Sequence, residues 1–171
     1  AVIFPGDGAA GWAMENLKKR ELIRPLKDHI FSGKPFLGIC LGMQVLFSFS
    51  EEGNVNCLDI IKGDVIKFTG ELKIPQIGWN RVQVKSQKAK VKRLFENVPD
   101  NSFFYFINSY YCRPADKKII IAESEYGQKF CSIFLKDNIV GVQFHPEKSG
   151  KIGLILLKNF YRFAYAYYSG S

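Results

Sequence analysis

The 171-residue sequence is poor in the residues from which disulfide and metal sites are built. It contains four cysteines and two histidines, and no two cysteines form a Cys-x-x-Cys pair. Zinc ribbons and thioredoxin-type redox motifs therefore have no support, and a histidine-based metal site would have very few ligands. We expect no metal and no cofactor. Free thiols and the lack of an opening secretory signal favour a reducing, cytoplasmic location.

Long apolar runs are also missing. The longest, residues 152–157 and 164–168, are far shorter than the roughly 18 residues that a membrane span requires, and we predict no membrane partner. Disorder is excluded because 47% of the residues are apolar. Length and composition fit a single domain over residues 1–168, with 169–171 as a disordered or expression-derived tail.

Charge is unbalanced, with 24 Lys and Arg against 16 Asp and Glu and a net charge of +8. Such a surface could attract nucleic acid, phosphorylated metabolites or an acidic partner. The aromatic residues, however, lie in apolar, strand-like runs such as 103–106 and do not alternate with Lys and Arg. We therefore predict no nucleic-acid partner, and a non-catalytic basic binding module remains an alternative.

Hydrophobic patterning predicts an α/β fold. Residues 1–4 and 35–39 are short buried strands, and helical spacing follows each of them, over 13–31 with a break at Pro25 and over 41–49. An alternation of strand and helix is typical of a parallel sheet.

The middle of the chain predicts antiparallel strands, because its apolar segments are short, rich in β-branched or aromatic residues and separated by turns. The antiparallel segments are residues 64–68, 81–84, 102–107, 118–124 and 131–135. Residues 139–144 are a further buried strand, and residues 151–168 are a closing helix. The whole pattern predicts a three-layer α/β sandwich with a mixed, mostly parallel sheet.

Residues 38–42, Gly-Ile-Cys-Leu-Gly, match the nucleophile-elbow pattern G-x-S-x-G with cysteine in place of serine. Small residues on both sides allow a tight turn, so that Cys40 projects from the end of a strand. The helix that follows favours the thiolate, and the amide of Leu41 points to where an oxyanion would form. The alternative is a buried cysteine in a glycine-rich turn.

A base for this thiol is available in His145-Pro146-Glu147, just after the strand at 139–144. A spacing of two residues in extended chain puts His145 and Glu147 on the same side, so the carboxylate can hold the imidazole. If both strands are parallel neighbours, their carboxyl ends bring Cys40 and His145 to one edge of the sheet. A strand-end histidine beside a solvated glutamate is the alternative.

Gly6, Gly8 and Gly11 match G-x-G-x-x-G, which raises the possibility of a dinucleotide site. The next predicted strand lacks the acidic residue that would hold a ribose. We favour a flexible loop whose amides complete an oxyanion hole opposite Leu41, and a plain turn remains open.

Three motifs occur together and in order: residues 5–8 (Pro-Gly-Asp-Gly), 38–44 (Gly-Ile-Cys-Leu-Gly-Met-Gln) and 141–147 (Gly-Val-Gln-Phe-His-Pro-Glu). In this respect the chain resembles the flavodoxin-like class I, triad-type glutamine amidotransferases. Residues 75–80, 104–111 and 148–150 narrow the resemblance to glutaminase subunits that serve histidine biosynthesis. A paralogous subunit that supplies ammonia for amino-sugar and surface-glycan synthesis remains an alternative.

The resemblance implies hydrolysis of glutamine to glutamate and ammonia, with Cys40 as nucleophile, His145 as proton carrier and Glu147 as its orienting group. It implies a heterodimer in which a (β/α)8-barrel synthase subunit receives the ammonia. The implied oxyanion hole consists of Leu41, Asp7 and Gly8, and the implied substrate contacts are Gly6, Gln44, Ser109 and Tyr110. The implied partner interface consists of Pro75, Gln76, Trp79, Asn80 and Lys148.

The chain departs from the resembled family in three respects. The family usually has an opening strand, glycine-rich turn and helix before the Pro-Gly loop, and we expect these to be missing here. Asp7 stands where the family usually has an apolar residue, and Asn108 stands where it usually has histidine.

Overall fold

A computed structural model describes residues 1–169 of the chain. Its helices are α1 (Ala10–Lys19), α2 (Ile23–Phe31), α3 (Leu41–Gln44), α4 (Ala89–Leu94) and α5 (Gly150–Ser169). The strands of the first half are β1 (Val2–Phe4), β2 (Phe36–Ile39), β3 (Phe47–Ser50), β4 (Val55–Asn56), β5 (Ile61–Lys67), β6 (Gln76–Arg81) and β7 (Gln83–Val84). Those of the second half are β8 (Phe103–Asn108), β9 (Tyr110–Pro114), β10 (Ile120–Tyr126), β11 (Gln128–Lys136) and β12 (Ile139–Val142).

Ten strands form one mixed sheet with the order β1-β2-β12-β11-β9-β5-β3-β4, in which β10 lies beside β11 and β7 beside β10. The α/β class and the mixed sheet are confirmed. The balance within the sheet differs from the expectation, since three strand pairs are parallel and six are antiparallel across the described residues. Helices α1 and α2 connect the parallel neighbours β1 and β2, whereas β10, β11 and β12 are antiparallel neighbours joined by short turns.

Helices cover both faces of the sheet, which gives the predicted three layers. On one face, α1 and α2 contribute Ala10, Leu17 and Ile30 to a core that includes Phe36 of β2. On the other face, residues of α4 and α5 pack with Leu37 and Ile39 of the same strand. All four residues of β2 are buried, as expected for a strand that is covered on both sides.

The predicted helix over residues 41–49 is wrong beyond Gln44. Phe47–Ser50 forms β3, which pairs with β4 and β5. Its sequence, Phe-Ser-Phe-Ser, also alternates with the period of a strand, and pairing on both sides decides between the two periods. Strands β6 and β9 were missed at the sequence level.

The break in the predicted helix over residues 13–31 lies at residues 20–22, before Pro25. Glu21 has a positive φ of 55° there, which ends α1. Pro25 is the third residue of α2, where its missing N–H is not needed for helical hydrogen bonding. The closing helix is confirmed and extends to Ser169, the first residue of the predicted tail. Residues 170–171 of that tail lie outside the described part of the chain.

The strand–helix turn after β2 depends on two close backbone approaches. A Cβ at Gly42 would overlap the carbonyl oxygen of Phe4 in β1, and a Cβ at Gly38 would lie 2.5 Å from the carbonyl oxygen of Gly42. Only glycine therefore allows β1, β2 and α3 to pack this closely.

We predict that Gly42→Ala lowers the free energy of unfolding by at least about 2 kcal/mol, because the added methyl group meets backbone that cannot turn away. Urea unfolding measures the loss. The matched control is Gly11→Ala, at a helical position where an added Cβ meets no atom within 4 Å; it is expected to leave stability unchanged or raise it by up to about 1 kcal/mol. Equal stability of the two variants would contradict the close approach.

Candidate active site

A cleft of about 440 Å³ opens at the carboxyl ends of β2 and β12. Ten of the residues predicted from the sequence line it: Asp7, Gly8, Cys40, Leu41, Gln44, Pro75, Ser109, Tyr110, His145 and Lys148. Four further lining residues were not predicted as site residues: Ala9, Glu52, Ile107 and Asn108. Cys40 and His145 therefore share one cleft, at the edge of the sheet where ligands of α/β folds bind.

Cys40 occupies a backbone conformation that L-residues rarely adopt, with φ 52° and ψ −110°. It lies between the last residue of β2 and the first residue of α3, flanked by the two sterically required glycines. Its amide nitrogen donates a hydrogen bond of 2.8 Å to the carbonyl of Val142. This geometry matches the nucleophile elbow that the sequence predicts, in which the turn aims the side chain into the cleft.

His145 is held by its side chain and by its backbone. Its Nδ1 lies 2.7 Å from Oε1 of Glu147, which leaves Nε2 as the ring nitrogen that can exchange a proton. The imidazole is buried, whereas the Glu147 side chain is 45% exposed. The His145 amide donates to the carbonyl of Tyr105 at 2.9 Å, and Ser149 Oγ bridges the His145 carbonyl at 2.6 Å and the Tyr105 amide at 2.9 Å.

The Cys40 thiol is not hydrogen-bonded to His145 within residues 1–169. It donates to the carbonyl of Ile107 at 3.8 Å and accepts from Nε2 of Gln143 at 3.7 Å. Burial raises the pKa of Cys40 to about 12, and the charge of Glu147 adds to the rise, while the Leu41 amide and Gln143 oppose it. The Cys40 side chain is therefore a protonated thiol in this conformation.

The predicted oxyanion hole is closed in this conformation. The Leu41 amide donates to the carbonyl of Gly6 at 3.3 Å, so a carbonyl of the Pro5–Gly8 loop stands where an incoming oxyanion would need to be. Gly8 has φ 93° and free space around it, which leaves room for the loop to change. The oxyanion role of Leu41, Asp7 and Gly8 stays a prediction that requires this hydrogen bond to open.

The start of α1 gives no support to the dinucleotide interpretation of the Gly6-x-Gly8-x-x-Gly11 motif. The amide of Ala10 donates to a carboxylate oxygen of Glu52 at 3.0 Å. A carboxylate at this position occupies the helix N-terminus and would repel a pyrophosphate. The loop is therefore better explained as part of the cleft around Cys40.

Gln44 uses both of its side-chain N–H groups within the protein. Its Nε2 donates to the carbonyl of Tyr110 and to Oε1 of Gln143, each at 3.1 Å. Only Oε1 of Gln44 is left to accept a hydrogen bond from a ligand. The predicted substrate contact at Gln44 is thereby restricted to a donor group of the ligand.

The predicted partner interface is only partly exposed. Strands β6 and β8 form a separate antiparallel sheet, and successive residues along each strand point in opposite directions. Gln76 points inward and is 3% exposed, whereas Trp79 is 56% exposed. Asn80 donates its side-chain amide to the Glu125 carbonyl at 2.9 Å, so Gln76 is unsuited, and Asn80 less suited, to contact a partner.

Sequence interpretation missed several residues that build this region. The same alternation that turns Gln76 inward turns Ile77 outward, with an exposure of 62%, and a strand assignment for residues 76–81 would have revealed it. Phe103, 50% exposed, begins a strand that was predicted, but the predicted strand was not linked to the interface. Gln143 lies two residues before His145, a spacing that signals a shared side of the chain. Ser149 and Glu52 carried no comparable sequence signal.

The chain belongs to the class-I glutamine amidotransferase family, whose model matches residues 2–162. It is 46% identical over 165 residues to the imidazole glycerol phosphate synthase subunit HisH of Dehalococcoides mccartyi, covering 96% of this chain and 78% of that protein. It is 49% identical over 165 residues to the HisH subunit of Chlorobaculum tepidum, covering 95% of this chain and 80% of that protein.

Solved structures support the fold. A putative GMP synthase subunit from Thermoplasma acidophilum has a TM-score of 0.68 at 19% identity, covering 98% of this chain and 73% of that chain. A glutamine amidotransferase from Thermotoga maritima has a TM-score of 0.61 at 19% identity, covering 94% and 62%. At these identities the likeness concerns the fold alone.

Two features are absent from residues 1–169. No helix there combines the length and the apolar character needed to cross a bilayer. No group of three or more His, Cys, Asp or Glu side chains in that part of the chain is arranged to hold a metal ion.

The raised pKa of Cys40 predicts slow alkylation in the absence of substrate. Iodoacetamide reacts with thiolate, and an ordinary cysteine has a pKa near 8.5, so Cys40 is expected to react at least ~10-fold more slowly at pH 8 than a free cysteine. The rate should still be rising at pH 10. Mass spectrometry of the peptide that contains Cys40 measures it against N-acetylcysteine, and a plateau below pH 8 would contradict the buried thiol.

Proposed function

We propose that this chain hydrolyses glutamine to glutamate and ammonia as the glutaminase subunit of an imidazole glycerol phosphate synthase in histidine biosynthesis. One observation supports this most strongly: a cysteine with positive φ shares a cleft with a buried histidine whose Nδ1 is held by a carboxylate. The relatives at 46% and 49% identity carry that subunit's name.

In the proposed reaction, Nε2 of His145 takes the proton of Cys40 Sγ as the sulfur attacks the side-chain carbonyl carbon of glutamine. The tetrahedral intermediate collapses when His145 returns that proton to the leaving nitrogen, which departs as ammonia and leaves a thioester on Cys40. Water, deprotonated by His145, then attacks the thioester. The C–S bond breaks, glutamate is released, and His145 returns the proton to the departing sulfur of Cys40. Glu147 fixes the imidazole orientation and stabilises its charged form.

The negative oxygen of both tetrahedral intermediates needs donors near Cys40. The amides of Leu41 and of Asp7 or Gly8 are the candidates, once the Leu41 amide exchanges the Gly6 carbonyl for the oxyanion. The space around Gly8 supports a loop rearrangement of this kind.

The charged end of glutamine requires acceptors for its ammonium group. Oε1 of Gln44 is free to accept, and the Glu52 carboxylate lines the same cleft. The backbone around Ser109 and Tyr110 and the loop at Gly6 complete the proposed substrate contacts. Four free cysteines, one of them the nucleophile, suit a reducing compartment, and we therefore propose the cytoplasm.

The outer face of the β6–β8 sheet is the proposed docking surface for a (β/α)8-barrel synthase subunit that consumes the ammonia. The face is apolar, with Ile77, Trp79 and Phe103 exposed, and Trp79 packs edge-on against Tyr105 with ring centroids 5.9 Å apart. Pro75 and Lys148 lie in the wall of the cleft, so this surface and the site of ammonia release are neighbours. Exposed aromatic residues of this kind are typical of interface anchors.

Cys40→Ala is expected to abolish glutamate release, because no other group in the cleft can form the thioester. The assay contains glutamine, the barrel subunit and its phosphoribosyl intermediate. The variant should keep its melting temperature, since the β-carbon and the elbow backbone remain.

Cys57→Ala is the matched control, a free cysteine that does not line the cleft. It is expected to retain full glutamate release. Hydrolysis that persists in Cys40→Ala would remove Cys40 as the nucleophile.

Trp79→Ala is expected to weaken binding of the barrel subunit by about tenfold or more, because it removes a large exposed aromatic anchor from the docking surface. The chain's other tryptophan, Trp12, is 66% exposed and lies on α1, so Trp12→Ala is the matched control and should bind normally. Isothermal titration with the barrel subunit measures both. Equal affinities for the two variants would exclude the β6–β8 face.

A further inference from the structure

Gln143 is fully buried and lies beside the proposed nucleophile. The parallel register of β12 and β2 pairs Val142 with Ile39, so the next residue of each chain segment, Gln143 and Cys40, leaves the sheet side by side. The Gln143 side chain does not line the cleft and contacts the Cys40 sulfur from the protein interior. Gln143 has no contact with solvent, and both polar atoms of its side chain have a partner inside the protein.

The direction of the Gln143 amide is fixed by a backbone carbonyl. Tyr110 O can only accept, so the Gln44 group that faces it at 3.1 Å must be the donor Nε2. The same Nε2 lies 3.1 Å from Gln143, whose facing atom must then be the acceptor Oε1. The NH₂ group of Gln143 is therefore the end that faces Cys40 Sγ, at 3.7 Å.

A hydrogen bond of this kind strengthens when its acceptor becomes charged. A thiol is a weak acceptor, whereas a thiolate in a buried site binds an N–H donor strongly. The Gln143 amide does not titrate and cannot carry the proton, so its effect is confined to the charge on sulfur. Burial raises the pKa of Cys40, and Gln143 is the side chain that opposes the rise.

We propose that Gln143 is a catalytic residue of the glutaminase reaction, whose amide, oriented by Gln44 and Tyr110 O, stabilises the Cys40 thiolate during attack. The inference rests on Cys40 being the nucleophile of the proposed function. It assigns Gln44 a second task, since the side chain that offers Oε1 to the cleft also orients the donor on the sulfur.

The test uses Gln143→Met, which keeps the side-chain length and removes both the donor to Cys40 and the acceptor of the Gln44 N–H. Loss of a hydrogen bond to a charged group should raise the thiol pKa by about one unit or more. The lower thiolate fraction, partly offset by the greater nucleophilicity of a more basic sulfur, predicts alkylation of Cys40 by iodoacetamide about three- to tenfold slower between pH 8 and 10. Hydrolysis of glutamine in the complex with the barrel subunit should show a larger change in kcat than in KM, because Gln143 does not line the cleft and Gln44 keeps its hydrogen bond to Tyr110 O.

Gln143→Glu is the second variant, because its carboxylate can still accept from Gln44 while it places negative charge, and no donor, beside the sulfur. It is expected to slow alkylation more than Gln143→Met does. Ser132→Ala is the matched control, because it removes a buried hydroxyl that has no hydrogen-bond partner in the described chain. Ser132 is a neighbour of Gln143, whose backbone N–H donates to the Ser132 carbonyl at 2.9 Å. Its alkylation profile should superimpose on that of the unmodified protein.

The outcomes separate this inference from the proposed function. Slower alkylation in both folded variants supports stabilisation of the Cys40 thiolate by Gln143. If the unmodified protein then releases no glutamate, the glutaminase assignment and the catalytic use of Gln143 fail, and only the contact with the thiolate stands. An unchanged profile in a folded variant, beside normal glutamate release by the unmodified protein, overturns the inference alone. If melting temperatures show that neither variant folds, Gln143 is a structural residue and the inference fails.

Discussion

The parallel pairing of β2 with β12 is the constraint on which the rest of the site depends. Four paired positions, from Phe36 with Ile139 to Ile39 with Val142, bring two segments that are about a hundred residues apart in sequence into one register. The hydrogen bond from the Cys40 amide to Val142 O extends that ladder by one step at 2.8 Å. Because side chains alternate along an extended chain, a slip of one residue would turn Gln143 and His145 away from Cys40 together.

Burial of Cys40 disfavours its ionisation, and the groups around the sulfur either add to this effect or oppose it. Cys40 is 7% exposed, and its thiol resists ionisation because the charged form loses hydration. The charge of the Glu147 carboxylate that orients His145 also raises the pKa of Cys40. Stabilising the thiolate therefore requires a nearby hydrogen-bond donor that does not itself give up its proton. Amide groups meet this requirement, and Gln143 and the Leu41 backbone are the two that face the sulfur.

Motif-level features could be predicted from the sequence because each rests on local geometry. The elbow at Cys40 requires glycine at two fixed spacings, and the His145–Glu147 contact requires only an extended tripeptide. Strand β3 and the inward turn of Gln76 could not be predicted, because pairing with distant strands decides both. The closed contact between Leu41 and Gly6 was equally inaccessible, since a glycine-rich loop permits either a carbonyl or an amide to face the same point.

Strand β8 contacts both Cys40 and His145. The carbonyl of Ile107 accepts from the Cys40 thiol at 3.8 Å. The backbone of Tyr105 contacts His145 twice, once directly through its carbonyl and once through Ser149, which bridges the Tyr105 amide and the His145 carbonyl. The outer side of β8 carries Phe103 beneath the Arg81 guanidinium, 5.4 Å from the ring centroid, on the exposed apolar face. A displacement of β8 would therefore alter the hydrogen-bond partner of Cys40 and the position of His145 together, because one strand contacts both residues.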